Sequence, residues 1–322
     1  MRCSGSIKII SGNSNPELAQ SISSLLGVNL VEADIGKFSD DEISVNIYET
    51  VRGCDVFIIQ STSRPANDHL MELLIIIDAM KRASAGRINV VMPYYGYARQ
   101  DRKAKARDPI SAKLVANLLT TAGANRLITM DFHCPQLQGF FDIPVDHLVG
   151  IHMFRDYYRE KFKDSDNVVV VAPDLGSTTR ARALSHAIGS PVAIVEKKRE
   201  KPNESVVMNL IGDVKGKRAV LVDDIIDTGG SIINAANAVL DGGAKEVHIC
   251  CTHGVFSGKA IELIENSNVS EMIVLDTIAK RKLSTNKIKY LSTAKSFAWA
   301  IERIHREAPV SDMFFSENIK YQ

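Results

Sequence analysis

Asp223, Asp224 and Asp227 lie within five residues of one another and run into Thr228-Gly229-Gly230-Ser231. The first two acids follow a short apolar run, 219–222, which reads as a buried strand that ends there. After Ser231 comes a helical pattern over 232–240. A glycine-bearing turn between strand and helix gathers backbone N–H groups and the helix N-terminus around one point, an arrangement that binds phosphate. Carboxylates beside it accept hydrogen bonds from sugar hydroxyls. The combination implies a sugar phosphate held by both ends. No G-x-x-x-x-G-K-[ST] and no G-x-G-x-x-G occurs in the chain, so neither a nucleotide P-loop nor a dinucleotide fingerprint is present.

Other segments carry chemistry less specifically. Arg99, Arg102 and Lys103 form a basic cluster in 93–103, which also holds three tyrosines. Arginine clamps polyphosphate through paired bonds and an aromatic ring contacts a base, though structural tyrosines in a solvated loop account for the segment equally well. Asp131 and His133 follow one expected strand, and Asp174 follows another. Such groups face the crevice at the carboxyl edge of a parallel sheet. Mg2+ takes few protein ligands together with waters and phosphate oxygens, so a sparse set suffices; a lone strand-end histidine is more often structural. The charge run 196–201, Glu-Lys-Lys-Arg-Glu-Lys, reads as a solvated loop unless it closes over phosphates, where it would neutralise developing charge. Phe38-Ser-Asp-Asp-Glu42 is an acidic turn that means little alone.

These residues need elements to position them. A length of 322 residues suggests two domains. The chain is 45% hydrophobic and 24% charged, as soluble globular proteins are, and its net charge of +1 gives no support for nucleic-acid binding. Five cysteines form no C-x-x-C pair and are odd in number, which fits reduced thiols in the cytoplasm. No signal-peptide pattern opens the chain. The apolar run 70–80 is broken by Glu72 and Asp78 and is too short to span a bilayer, so no membrane partner is expected.

Strand-like runs at 7–10, 56–60, 89–92, 127–130, 168–172, 192–195, 219–222, 247–251 and 272–275 alternate with helical patterns. That alternation predicts an α/β fold with mainly parallel sheets. A helix is expected after Pro109, with Leu114, Val115, Leu118 and Leu119 on its apolar face and Gly123 as its stop. Ala116-Asn117, Gly123-Ala124 and His133 recur at a constant offset of 120 as Ala236-Asn237, Gly243-Ala244 and His253. A weaker echo pairs 9–27 with 171–189. Both suggest two copies of one α/β unit, with a boundary near Gly150.

Taken together, 7–315 resembles the ribose-phosphate diphosphokinases, or phosphoribosyl pyrophosphate synthetases, of the phosphate-activated class. The specific segments are 38–42, Tyr97-Ala-Arg-Gln-Asp-Arg102, Gln138-Gly-Phe-Phe-Asp-Ile-Pro144 and the 222–231 loop. Phosphoribosyltransferases share only the last of these. The resemblance implies two similar phosphoribosyltransferase-type domains, each a mainly parallel sheet flanked by helices. Residues 1–149 would contribute to ATP binding and 150–322 would bind ribose 5-phosphate, the last residues being free to pack back on the N-terminal domain. It implies transfer of the diphosphoryl group of ATP to the 1-hydroxyl of ribose 5-phosphate, giving 5-phosphoribosyl 1-diphosphate and AMP for nucleotide biosynthesis.

Carried over by motif, Asp223 contacts the ribose hydroxyls, with Asp224 beside it, and Asp227, Thr228, Gly229, Gly230 and Ser231 wrap the 5-phosphate. Arg99, Gln100 and Asp101 hold ATP, as do Asp40, Asp41 and Glu42 around the adenine, the last group from a neighbouring subunit. Asp131, His133 and Asp174 match Mg2+-linked positions. Lys197 and Arg199 match the catalytic basic pair, and Arg199 also reaches ribose 5-phosphate. A cytoplasmic homohexamer is implied, inhibited by ADP and activated by phosphate.

The chain departs from the usual family pattern at Cys134, where a small alanine is common, at Gly176-Ser177 in place of Gly-Gly, and at Ser231 in place of threonine. Ser231 keeps the hydroxyl and an N-cap role. Ser177 is expected to restrict the backbone near the diphosphate. Two other readings compete: a phosphoribosyltransferase, against which the Arg99-Gln100 segment argues, and a silent regulatory homologue, against which Lys197, Arg199, His133 and Asp223 argue.

Overall fold

The computed structural model describes residues 5–163, 167–198, 207–281, 283 and 286–310, the side chains of 197, 198 and 207 excepted. The chain divides into two units, 1–148 with 277–279 and 292–322, and 149–276 with 280–291.

The first unit runs β1 (Ile7–Ser11), α1 (Pro16–Leu26), β2 (Ala33–Lys37), β3 (Ile43–Ile47), β4 (Asp55–Ile59), α2 (Ala66–Arg82), β5 (Arg87–Met92), α3 (Ser111–Ala122), β6 (Arg126–Met130) and β7 (Val145–Leu148). Five strands form a parallel sheet in the order β1-β4-β5-β6-β7, while β2 and β3 pair apart as an antiparallel hairpin. Its connections follow elementary rules. Asn15 Oδ1 accepts the Leu18 N–H, Pro16 stands in the first turn of α1, and Gly27 ends the helix at φ +64°. The run 70–80 lies within α2, whose buried side includes Leu73, Ile76, Ile77 and Met80.

The second unit runs α4 (Ile151–Lys161), β8 (Val168–Ala172), α5 (Thr178–Ile188), β9 (Val192–Lys198), β10 (Val207–Ile211), β11 (Arg218–Ile226), α6 (Gly230–Asp241), β12 (Glu246–Gly254), α7 (Ala260–Glu265), β13 (Glu271–Leu275) and β14 (Ile288–Leu291). Its sheet has the order β10-β9-β8-β11-β12-β13-β14. Among the described residues only β10 runs antiparallel to its neighbour in this sheet. β8, with every residue of Val-Val-Val-Val-Ala buried, is the continuous apolar strand expected of a sheet covered on both faces. The last helix, α8 (Ala294–His305), belongs to the first unit and packs on α1.

All nine expected strands are present, with two differences that matter. β11 continues to Ile226 rather than stopping at Val222, because its pairing with β12 persists from Asp223↔Cys251 to Ile226↔Gly254. Asp223 and Asp224 therefore lie inside a strand. In α3 the buried stripe is Ala112, Val115, Ala116 and Leu119, spaced by three and four, whereas Leu114 and Leu118 are exposed. Pro109 precedes that helix and its first turn.

The two units match step for step: strand, helix, antiparallel pair, strand, helix, strand, helix, strand, strand. In that match β1–α1 corresponds to β8–α5, as the weaker echo suggested, and both helices end in a left-handed glycine. The 120-residue offset is one step out of register. It equates α3–β6 with α6–β12, whose counterpart by topology is α2–β5. Helix, Gly-Ala turn and strand are what any helix-to-strand connection produces, so the likeness there is local. Among the described residues no helix is long and apolar enough to cross a membrane.

Candidate active site

In the second sheet the strand order turns back between β8 and β11: the chain passes from β8 outward to β9 and β10, then returns on the other side as β11. Open α/β sheets bind ligands outside the carboxyl ends of strands at such a reversal. In the five-stranded sheet the strands follow chain order and do not reverse. Topology alone thus singles out the ends of β8 and β11, and the acids lie there.

Asp174, two residues beyond β8, closes a turn on itself. Its Oδ1 accepts the Ser177 N–H at 3.0 Å and lies 3.1 Å from Ser177 Oγ. The same Oγ lies 2.9 Å from Asp223 Oδ1 on β11, and that Oδ1 also accepts the Asp224 N–H at 2.9 Å. Asp224, 3% exposed, is paired with Arg180 of α5, Nη1 to Oδ1, at 3.2 Å. Burial, reinforced by the neighbouring Asp224 charge, pushes the Asp223 carboxyl up to about 7, against the pull of Ser177 and Arg180. A carboxylate poised there changes charge near neutrality.

Beyond β11 the loop is anchored from behind. The Ile226 carbonyl accepts Val255 and Phe256 N–H at 3.0 and 3.1 Å, and the Asp227 carbonyl accepts Ser257 N–H at 2.9 Å. Gly229 is the N-cap of α6 at φ +80°, a conformation that favours glycine. Ser231 is therefore the second residue of the helix and is not its N-cap, contrary to expectation. Gly229 brings no side-chain cap. The N–H groups of Gly230, Ser231 and Ile232 have no partner within the helix by construction, and with the positive end of the helix dipole they can receive an anion at the end of the loop that follows β11.

The first unit holds the other candidates. Asp40, Asp41 and Glu42 form the exposed tip of the β2–β3 hairpin, closed by Phe38 N–H to the Glu42 carbonyl at 2.8 Å, with Asp41 at φ +69°. The segment after β5 is locked to the residues after β4. Tyr94 N–H donates to Ser61 Oγ at 3.1 Å and Gly96 N–H to Thr62 Oγ1 at 2.7 Å. A Cβ at Gly96 would stand 2.5 Å from the Thr62 carbonyl oxygen, so only glycine fits. Tyr95 is core: its hydroxyl donates to the Ala112 carbonyl at 2.8 Å and its ring meets Phe132 and Phe141 edge-on. That tyrosine is structural and is not available to a base.

Arg99 and Gln100 are exposed just beyond, with the Gln100 amide oxygen bonded to Ser111 Oγ. Asp101 Oδ2 accepts the Cys134 thiol at 3.1 Å, so the departure at Cys134 ties this segment to the one after β6. Burial and the Asp101 contact push that thiol up to about 11, leaving it protonated and inert. Asp131 takes φ +46°, which ends the alternation of β6. Phe132, between Asp131 and His133, is buried, while Asp131 is half-buried and His133 exposed.

Asp131 and His133 belong to the first unit and Asp174 to the second. Among the described residues no group of three or more metal-ligating side chains is gathered. Single donors without a cage are what a phosphate-borne Mg2+ requires. Of the expected catalytic pair, Arg199 lies outside the described residues. Lys197 lies on β9, with its backbone opposite Met208 of β10, and its side chain is not described. Residues 196–198 of the charge run are thus strand rather than loop.

The first half of the sequence has no equivalent of the Asp223–Ser231 loop. The topological counterpart of the β11–α6 loop is the β4–α2 connection, 60–65. There Gln60, Ser61, Thr62 and Ser63 are all buried. Ser61 Oγ donates to the Thr277 carbonyl at 2.6 Å, and Gln60 Oε1 accepts the Ser14 N–H at 3.0 Å. The cradle of the second unit is, in the first, a filled structural joint.

Residues 7–123 match the model of the N-terminal domain of ribose phosphate pyrophosphokinase, and residues 182–315 match the phosphoribosyl synthetase-associated domain. The chain is 60% identical to a ribose-phosphate pyrophosphokinase of Clostridium perfringens over 97% of its own length and 98% of the relative's. It is 54% identical to that of Oceanobacillus iheyensis over 96% and 97%. The crystal structure of phosphoribosylpyrophosphate synthetase from Mycobacterium smegmatis superposes with a TM-score of 0.89 at 40% identity, covering 94% of this chain and 100% of that one.

Proposed function

The chain belongs to the ribose-phosphate pyrophosphokinase family, and on that premise we propose that it transfers the diphosphoryl group of ATP to the 1-hydroxyl of ribose 5-phosphate. The observation that carries this reading is that β11, which bears Asp223 and lies at the β8/β11 reversal, leads directly into an α6 N-terminus without a side-chain cap. Residues 227–231 receive the 5-phosphate on backbone N–H groups, and Asp223 receives the ribose hydroxyls. That fixes the sugar at both ends and leaves its 1-oxygen as the nucleophile. Asp224 holds Arg180 and keeps a second negative charge behind Asp223.

Arg99, Gln100 and Asp101 serve ATP in the first unit, and the hairpin tip Asp40–Glu42 supplies the adenine contacts to a neighbouring subunit of a hexamer. Asp131 and His133 in the first unit and Asp174 in the second are the residues that would hold Mg2+, which would supply neutralisation of phosphate charge. ADP and phosphate act as effectors of the assembly. A cytoplasmic setting accords with Cys54, Cys134, Cys250 and Cys251 all being free thiols.

Phosphoryl transfer asks the protein for positioning and charge neutralisation, and no covalent intermediate is needed. Incubation with ATP, Mg2+ and ribose 5-phosphate should yield AMP in proportion to ribose 5-phosphate consumed. Absence of AMP across a range of phosphate and Mg2+ concentrations would refute the activity.

Two further outcomes follow from the same roles. Lys197→Ala should cut kcat far more than it raises either KM, because its cation meets charge that builds up only in the transition state; a change confined to KM contradicts that role. The second concerns pH. A hydroxyl donates to the ionised form of Asp223, whose proton leaves near pH 7. kcat/KM for ribose 5-phosphate should therefore rise roughly tenfold between pH 6 and 8, while kcat at saturating sugar changes less. A KM for ribose 5-phosphate that stays flat over that range removes Asp223 from the sugar site.

A further inference from the structure

Ser177 is 3% exposed and stands at the N-cap of α5, yet its side chain makes no cap hydrogen bond. An N-cap serine ordinarily gives its oxygen to an N–H of the first helical turn. Here the hydroxyl is turned the other way and lies between two acids, 3.1 Å from Asp174 Oδ1 and 2.9 Å from Asp223 Oδ1. Its backbone, at φ −87° and ψ 0°, is one any L-residue adopts. What serine adds at this position is therefore the hydroxyl rather than strain, and the expected restriction of the backbone is not what the structure displays.

The pattern of donors gives that hydroxyl a purpose. Asp223 Oδ1 takes two donors, Ser177 Oγ–H and Asp224 N–H. Asp174 Oδ1 faces Ser177 N–H and Oγ. Both carboxyl groups are thus pinned through Oδ1; among the described residues no N–H or hydroxyl reaches Oδ2 of either, and the Asp224 carboxyl is the other group within hydrogen-bonding reach of Asp223. A planar carboxylate held by one oxygen presents the other in a fixed direction. Backbone N–H groups could not do this alone, because Asp174 follows β8 and Asp223 lies on β11, 49 residues apart in sequence. The side chain of Ser177 is the atom set that joins them.

We propose that Ser177 is a positioning residue for the sugar substrate: its hydroxyl ties the Asp174 turn to β11 and holds the Asp223 carboxylate so that Oδ2 meets the ribose hydroxyls. The inference rests on the placement of ribose 5-phosphate at Asp223 proposed above. Glycine or alanine at 177 leaves the Asp224 N–H bond in place but frees the carboxylate to rotate about it.

The test is initial-rate kinetics of the wild type, Ser177→Ala, Ser177→Gly and Asp223→Asn with each substrate varied in turn, together with thermal melting. Both Ser177 variants should raise KM for ribose 5-phosphate about five- to tenfold. KM for ATP and kcat should stay within about twofold and the melting temperature should hold. An unchanged KM for ribose 5-phosphate in Ser177→Ala, while Asp223→Asn loses sugar affinity, overturns the role of Ser177 alone. An equal rise in both KM values, or a Ser177→Gly variant with raised kcat and unaltered sugar affinity, overturns it too. A wild type that forms no AMP in the presence of ribose 5-phosphate overturns the placement on which it rests.

Discussion

Asp223→Asn should lower kcat/KM for ribose 5-phosphate by roughly a hundredfold without lowering the melting temperature at pH 8. The activity loss follows from removing a charged acceptor for the ribose hydroxyls. Hydrogen bonds to a charged group are worth about 1.5–3 kcal/mol each, and about 2.7 kcal/mol is a hundredfold in rate. The stability result follows from the sign of the shift. Burial and Asp224 hold the Asp223 carboxyl above its unfolded range, at about 7. Between about pH 4 and 7 the folded chain binds a proton that the unfolded chain releases, so stability falls as pH rises through that window. At pH 8 the ionised Asp223 therefore costs stability, and a neutral asparagine of the same shape relieves it. A site that gives up stability for function in this way is a stability–activity trade-off. Loss of melting temperature together with activity would mean that Asp223 is a structural acid. kcat/KM within fivefold of wild type would mean that it does not touch the sugar.

Asp55→Ala has the largest expected effect on stability. Asp55 is fully buried at the start of β4. It accepts Arg87 Nε at 2.8 Å and Asn89 Nδ2 at 2.7 Å, and meets His305 Nδ1 at 2.9 Å. Arg87 also donates to the Ile304 carbonyl at 3.3 Å. One carboxylate thus joins β4 and β5 to the C-terminal end of α8, a helix separated from them by the whole second unit in sequence. Burial pushes the Asp55 carboxyl up, but the Arg87, His305 and Asn89 bonds outweigh it and hold it below the usual range. Its contribution is present above the unfolded value near 3.8 and is lost as pH falls through the lower folded value. Removing the acid strands its partners and should cost about 3 kcal/mol, near the lower end for a broken buried pair because Arg87 and His305 are partly hydrated. In a unit of this size that is a fall of roughly 10 °C in melting temperature. The kinetics of the fraction still folded at 25 °C should not change, since Asp55 lies at the strand end opposite the Arg99 segment. A fall of less than about 2 °C would show that α8 is held by its apolar face alone.

Much of the molecule is legible from its residues. Val-Val-Val-Val-Ala at 168–172 reads as a buried strand, and the glycine-bearing loop after 226 announces a turn into a helix by its residue types alone. The expected strand end at Val222 falls short because two adjacent aspartates look like solvent. The pairing of β11 with β12 overrides that local signal and buries Asp224. The hairpin β2–β3 gives little signal because its residues are only half-buried and Gly36 and Asn46 dilute the alternation. The link from Ser177 to Asp223 spans 46 residues and obeys no spacing rule. It depends on the topology that sets β8 beside β11. The 120-residue repeat shows the opposite failure: a true likeness of sequence, produced by the generic chemistry of a helix-to-strand turn, that points to the wrong pair of elements.

In the proposed reaction the two terminal phosphoryl groups of ATP move together onto the 1-oxygen of ribose 5-phosphate. The most direct test is turnover of ATP labelled in the β-phosphoryl group with ribose 5-phosphate carrying 18O at the 1-hydroxyl. The β-label and the 18O should appear in one molecule of 5-phosphoribosyl 1-diphosphate, with one AMP released for each. Formation of ADP, or β-label in free diphosphate with the 18O left in unreacted sugar, would contradict it.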